Sequence, residues 1–200
     1  MPLATASAVL QPQLTRLKQE LLAAREGAHR VAVGLTDDEW RHRPAAASWS
    51  VAECLMHLNV TSERFLPVID EAIRGLRARG LLGSTVLRRD FVGWMLSTTI
   101  EPPVRFRIKT PPPFVPVRID PLPEVVERFD YLQGELIERL DRGAGLAWDR
   151  QRVESPFSRR VKYSLYSTYC VIAAHQRRHL WQAGQVRSSV GAHEGTRPAA

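Results

Sequence analysis

The sequence predicts an all-α fold, a four-helix bundle with a Pro-rich excursion between the second and third long helices. Three observations carry that expectation. Four long stretches repeat apolar residues every three or four positions, the spacing of one helix face. No alternating run is convincing as a strand ladder. Finally, 8 of the 14 prolines crowd between Glu101 and Pro123, where neither helix nor sheet can run far.

The first helix is expected over residues 10–35, with Leu14, Leu17, Leu21, Leu22, Ala28, Val31 and Leu35 near three- and four-residue spacing on its apolar face. Thr36-Asp37-Asp38-Glu39 is a capping-box signature for a short turn ending before Pro44. Ser50-Val51-Ala52-Glu53 is a second such box, opening a helix through Leu55, Leu58, Phe65 and Ile69 to about Leu76. Pro67 lies inside it and is expected to kink or interrupt it. Residues 84–100 carry a mixed helical signal. After Pro123, the positions Val125, Phe129, Leu132, Leu136 and Leu140 mark a third long helix ending near Gly143. The last is expected from about Arg160 to Val186. One domain over residues 10–187 results, with disordered termini at 1–9 and 188–200.

Composition narrows the function. Apolar residues at 44% and charged residues at 24% suit a globular chain, and 200 residues can bury a core without disulfide staples. No apolar run reaches the roughly 18–20 residues that span a bilayer, so no membrane partner is expected. The N-terminus lacks the basic and apolar regions of a signal peptide, and Cys54 and Cys170 make no disulfide framework. A cytoplasmic protein is expected. The net charge is +7, but its arginines scatter from Arg16 to Arg197 instead of gathering on one stripe among aromatics, so no nucleic acid is expected either.

The chemistry lies in histidines. In His175-Gln176-Arg177-Arg178-His179 two imidazoles four residues apart project from one helix face. Val171, Ile172 and Val186 fall within about 60° of His175 on the helical wheel, so the pair faces the apolar side and Arg177 turns away. Imidazoles facing a core need partners, and a metal ion supplies one. His57, among core leucines near the start of the second long helix, is the natural third ligand. His29, His42 and His193 have no partner pattern. Gln176 stands where a zincin protease would carry its glutamate, and an amide is no general base, so that activity is not expected.

The run Trp49-Ser50-Val51-Ala52-Glu53-Cys54-Leu55-Met56-His57-Leu58, followed by Ala174-His175-Gln176-Arg177-Arg178-His179-Leu180-Trp181-Gln182, resembles the DinB-like (DinB/YfiT) superfamily of metalloenzymes. Arg43-Pro44 ahead of Trp49 fits the same pattern, and the resemblance covers about Leu14 to Val186. It implies a four-helix bundle holding a divalent ion, zinc or nickel, on three histidines. It also implies kinship with bacillithiol and mycothiol S-transferases and maleylpyruvate isomerases. The Pro-rich stretch is long for the simplest members.

Three neutral nitrogen ligands leave a coordination position open, the arrangement of catalytic zinc. The expected activity is therefore metal-dependent transfer of a low-molecular-weight thiol to an electrophile, those two small molecules being the partners. A metal-hydroxide hydrolase is the near alternative. A non-catalytic binding protein with a structural metal is the distant one, and a homodimer is allowed. Glu53, one turn before His57, is the candidate base or ligand support, in competition with its capping-box role. Cys54 is a fourth ligand or, more ordinarily, a small core residue. Arg64 and Thr61 on the His57 face, and Ser164, Thr168 and Gln182 on the His175 face, are candidate pocket residues, Arg64 for an anionic group. Ordinary bundle polarity explains them equally well. The five tryptophans are read as packing.

Overall fold

The structure is a computed structural model, and it describes residues 11–83, 86–103 and 109–194, the side chains of 191–194 excepted. In chain order its helices are α1 (Pro12–Ala32), α2 (Asp37–Arg41), α3 (Val51–Ala78), α4 (Phe91–Ile100), α5 (Leu122–Arg142) and α6 (Leu165–Glu194). A short hairpin, β1 (Arg152–Ser155) and β2 (Ser158–Ser164), stands between α5 and α6. The four long helices pack in the cyclic order α1–α5–α3–α6, which leaves α1 and α3 nearly out of contact across the middle. Among the described residues, no helix is long and apolar enough to cross a membrane.

Local chemistry sets the helix ends. Both capping boxes form: the Thr36 hydroxyl accepts from the Glu39 amide while Glu39 accepts from the Thr36 amide, and Ser50 and Glu53 repeat the exchange. α5 begins on Pro121-Leu122-Pro123, where missing amide donors cost nothing, and ends at Gly143. Pro67 does not end α3, which runs unbroken from Val51 to Ala78. The ring sits on the exposed face, where water can satisfy the carbonyl that loses its donor.

Two apolar clusters fill the bundle. One gathers Leu14, Leu17, Phe65, Leu76, Leu136, Trp148, Tyr163 and Tyr169; the other gathers Ala28, Trp40, Leu55, Leu58, Phe129 and Ala183. Tyr169 and Trp148 each direct a polar atom to a backbone carbonyl, of Leu136 and Gly143 respectively.

The hairpin corrects the expected start of the last helix at Arg160. Residues 158–164 pair with β1 instead, with Val153 opposite Tyr163 and Glu154 opposite Lys162. Ser164 is therefore a strand residue, bonded through its hydroxyl to Ser167 at the start of α6. The helix expected over 84–100 is shorter, beginning after Asp90, whose carboxylate caps it through the Gly93 amide and also accepts from the Ser164 amide. α4 lies so close to α6 that a Cβ on Gly93 would fall 2.1 Å from Ser167 Cβ. At the far end, α6 continues eight residues past Val186, to Glu194. Residues 1–9 and 195–200, expected to be disordered, lie outside the described residues.

Candidate metal centre

The capped start of α3 places His57 in its second turn, and the middle of α6 presents His175 and His179 to it across the α3–α6 contact. One ligand atom from each ring lies within 4.8 Å of the others. His57 Nε2 and His175 Nε2 are 3.1 Å apart, close to the roughly 3.3 Å that separates two nitrogens bound at about 2.05 Å to a tetrahedral ion. The ring centroids of His57 and His175 are 4.9 Å apart, and each stands 4.6 Å from that of His179.

The protein prepares these rings as ligands. His57 Nδ1 donates to the Phe114 carbonyl at 2.8 Å, which fixes the tautomer and leaves Nε2 with its lone pair. That carbonyl comes from a single 3-10 turn, Pro112–Phe114, inside the Pro-rich segment. Residues 109–115 of the excursion thus reach the site and support a ligand. His179 Nδ1 is buried without a hydrogen-bond partner of normal geometry, so that ring's polar groups are incompletely satisfied within the protein. Burial lowers the His57 pKa to about 4, against the Phe114 bond that favours the charged form. His175 and His179 lie well below the ordinary imidazole range, first through burial and then through their mutual repulsion with His57 and the Arg178 charge. Three neutral, converging imidazoles fit a divalent ion.

A match to the family model described as DinB superfamily extends over residues 20–183. The chain belongs to the DinB superfamily. Comparison with curated proteins and with solved structures finds no match. In this DinB protein the motif tryptophan has a place: Trp49 stacks on His179 at 5.5 Å, tilts against His57 at 4.9 Å, and walls the site from the loop side. On the opposite side Phe157, at the hairpin turn, meets His175 at 5.7 Å and Phe114 at 4.4 Å. The histidines open on a cavity of about 1070 Å³ lined by these aromatics, by Val161 and Tyr163 of β2, and by Gln182, Trp181 and Arg178 of α6.

The remaining candidates are distributed unevenly. Gln182 lines the cavity. Thr168 is buried and gives its hydroxyl to the Ser164 carbonyl, and Thr61 likewise bonds to Leu58, so both serve the helices that carry them. Arg64 is exposed on α3 and does not line the cavity. Glu53 is bound on both carboxylate oxygens: Arg43 reaches Oε1, and Oε2 accepts from Arg43 Nε at 2.7 Å and from the Ser50 amide at 2.9 Å. It is not among the donors that converge with the histidines. Nor is Cys54, whose thiol is buried and pushed strongly upward in pKa by burial and then by Glu53. Gln176 faces the core and bonds Gln133 of α5. Arg177 turns away to Glu20 and Glu101. Of the residues that line the site, sequence reasoning passed over Phe157 and Arg178 and read Trp49 and Trp181 only as packing. Trp49 had a signal, its place in the motif beside His57.

The depressed histidines set a pH dependence. The unfolded chain takes up protons near pH 6.5, whereas folded His57 takes one only near pH 4. Metal-free protein therefore keeps this contribution fully above pH 6.5 and loses it as pH falls toward 4, a loss of about 3 kcal/mol at 1.36 kcal/mol per pKa unit. Melting temperature measured from pH 8 to pH 4 should fall through that window, and bound metal should dissociate in it because protons compete for the same nitrogens. A flat profile would mean that the imidazoles are not buried neutral.

Proposed function

We propose that this DinB protein is a metal-dependent enzyme that transfers a low-molecular-weight thiol to an electrophilic substrate, with zinc or nickel on His57, His175 and His179. The observation that carries the reading is the convergence of three neutral imidazoles at the wall of a large cavity, with no fourth protein ligand among the described residues. A closed structural site would need such a ligand. Cys54 and Glu53, the nearest candidates in sequence, are engaged elsewhere, Cys54 in the core and Glu53 with Arg43. An ion bound here supplies a Lewis acid that lets a thiol bind as thiolate near neutral pH.

The chain's own residues do the rest. His57 is oriented by Phe114, and the two α6 histidines by a rigid helix, so the ligands are preorganised. Trp49 and Phe157 flank the imidazoles and keep bulk water from the ligand face, while the cavity leaves room for two small molecules.

Cobalt-loaded protein tests the reading. Addition of a small thiol should produce a sulfur-to-cobalt charge-transfer band in the near ultraviolet, because a soft thiolate replaces solvent at the open position. A sample holding cobalt that shows no response to several thiols would exclude thiol transfer. A hydrolase or a binding protein would then be separated by screening ester and amide substrates.

A further inference from the structure

α4 holds no charged residue between Phe91 and Ile100, and it lies against α6 with Gly93 and Ser97 buried beneath it. Its outer face is apolar nonetheless. Phe91, Trp94 and Met95 are 73%, 48% and 43% exposed there, and the Phe91 and Trp94 ring centroids are 5.9 Å apart. Cations adjoin this helix. Arg88 and Arg89 stand exposed immediately before it. The Asp90 carboxylate accepts from the Ser164 amide at the end of β2, which ties the start of α4 to the hairpin. The hairpin's outward face carries Arg152, directly opposite Ser164 in the ladder, and Arg160 and Lys162, all exposed. Of these five cations, Lys162 alone has a carboxylate partner among the described residues, Glu154. The acid nearest to Arg88 and Arg89 in sequence, Asp90, is occupied in capping α4.

We propose that α4 docks this protein on anionic membrane surfaces, with Phe91, Trp94 and Met95 entering the headgroup boundary and the neighbouring arginines meeting the lipid anions. An exposed apolar helix beside arginines suits such a surface, because apolar burial and electrostatic attraction add, and tryptophan is favoured at the boundary. A helix of ten residues lies on a bilayer and does not cross it, so docking departs from the expectation of no membrane partner without needing a spanning segment. A second copy of the chain fits the face less well. The three side chains expose on the order of 300 Å², against about 800 Å² per partner in a stable dimer. Two-fold pairing would also bring the same arginines of both copies together. Leu96 and Ile100 of α4 line the cavity beside the histidines, so docking sets that wall of the cavity at the lipid interface. Docking is independent of the reaction at the metal centre.

Co-sedimentation of the full-length, metal-loaded protein with lipid vesicles tests the assignment. Phosphatidylcholine vesicles containing about 30% phosphatidylserine should bind it at least about tenfold more tightly than phosphatidylcholine alone, and raised salt should weaken that binding. Near an anionic surface each cation contributes roughly fivefold, so R88Q/R89Q should bind about 20-fold more weakly. F91S/W94S, whose charge is unchanged, should lose at least about tenfold. All four residues are exposed, so the melting temperature should hold in both variants. Spin-labelled lipid locates the contact. It should quench tryptophan emission in the native protein, whereas W94F, which keeps the face apolar, should stay bound and lose most of the quenching. Absence of binding to the phosphatidylserine vesicles overturns the proposal, and so does quenching that W94F leaves unchanged. Undiminished binding of F91S/W94S overturns it too, because adsorption would then come from the net charge of the whole molecule. A native dimer in sedimentation velocity that F91S/W94S dissociates would give the face to a second copy instead.

Discussion

Alanine at His175 should leave the protein folded and almost free of metal. His175 Nε2 stands 3.1 Å from His57 Nε2, and His175 lines the cavity, so its loss leaves two ligands on facing helices with an unfilled face. Removing a group that merely supports a ligand typically costs 10–100-fold in metal affinity, so losing the ligand itself should exceed about 100-fold. H57A and H179A should behave similarly. H29A should not, since His29 lies exposed on α1 and pairs with Asp130. Elemental analysis of protein purified without a metal-affinity tag reads the result directly, with about one ion per native chain. A triple H57A/H175A/H179A variant that kept its metal would exclude this centre. Helical circular dichroism should survive in every variant, because both apolar clusters are independent of the ion, while the melting temperature falls by the lost binding free energy.

That outcome depends on features of different legibility. The histidine pair could be read directly, because four-residue spacing on a helix fixes a shared face whatever the tertiary structure. The long helices were legible for the same reason, through Leu14 to Val31 and Val125 to Leu140. What periodicity could not supply was the surroundings of the site. Residues 152–164 alternate Val153, Ser155, Val161 and Tyr163 toward the inside, but with polar and basic residues between and only four residues in β1, the pattern merges with the start of α6. Yet that hairpin builds one wall of the cavity. Arg64 fails for a related reason: the helical wheel places it near the His57 face, but it lies almost two turns further along α3, past the end of the cavity. Phe114 was hidden because what matters is its carbonyl, and a backbone group leaves no trace in residue type.

Glutamine and alanine at Glu53 should decide whether this carboxylate works in the chemistry or in the architecture, and the structure favours the architecture. The Glu53 side chain is only 2% exposed, while Arg43 is about half exposed, so removing the acid strands little charge in the interior. The cost should therefore fall below the 3–5 kcal/mol typical of breaking a fully buried pair. E53Q retains the back-bond to Ser50, since glutamine also serves a capping box, and loses mainly the Arg43 attraction, about 1 kcal/mol. E53A loses both, about 2–3 kcal/mol, or roughly 2–4 °C per kcal/mol for a chain of this size. The segment that loosens, from Arg43 to Ser50, carries Trp49 against His57 and His179, so metal affinity and tryptophan emission should change along with stability. R43Q should cost more than E53Q, because it leaves the buried Glu53 carboxylate without its counter-charge, held by the Ser50 amide alone. A base predicts otherwise: E53Q would abolish turnover at unchanged melting temperature and metal content, and R43Q would leave the carboxylate in place. Calorimetry, metal analysis and turnover on those three variants distinguish the two roles, and loss of turnover in E53Q alone would return Glu53 to the reaction.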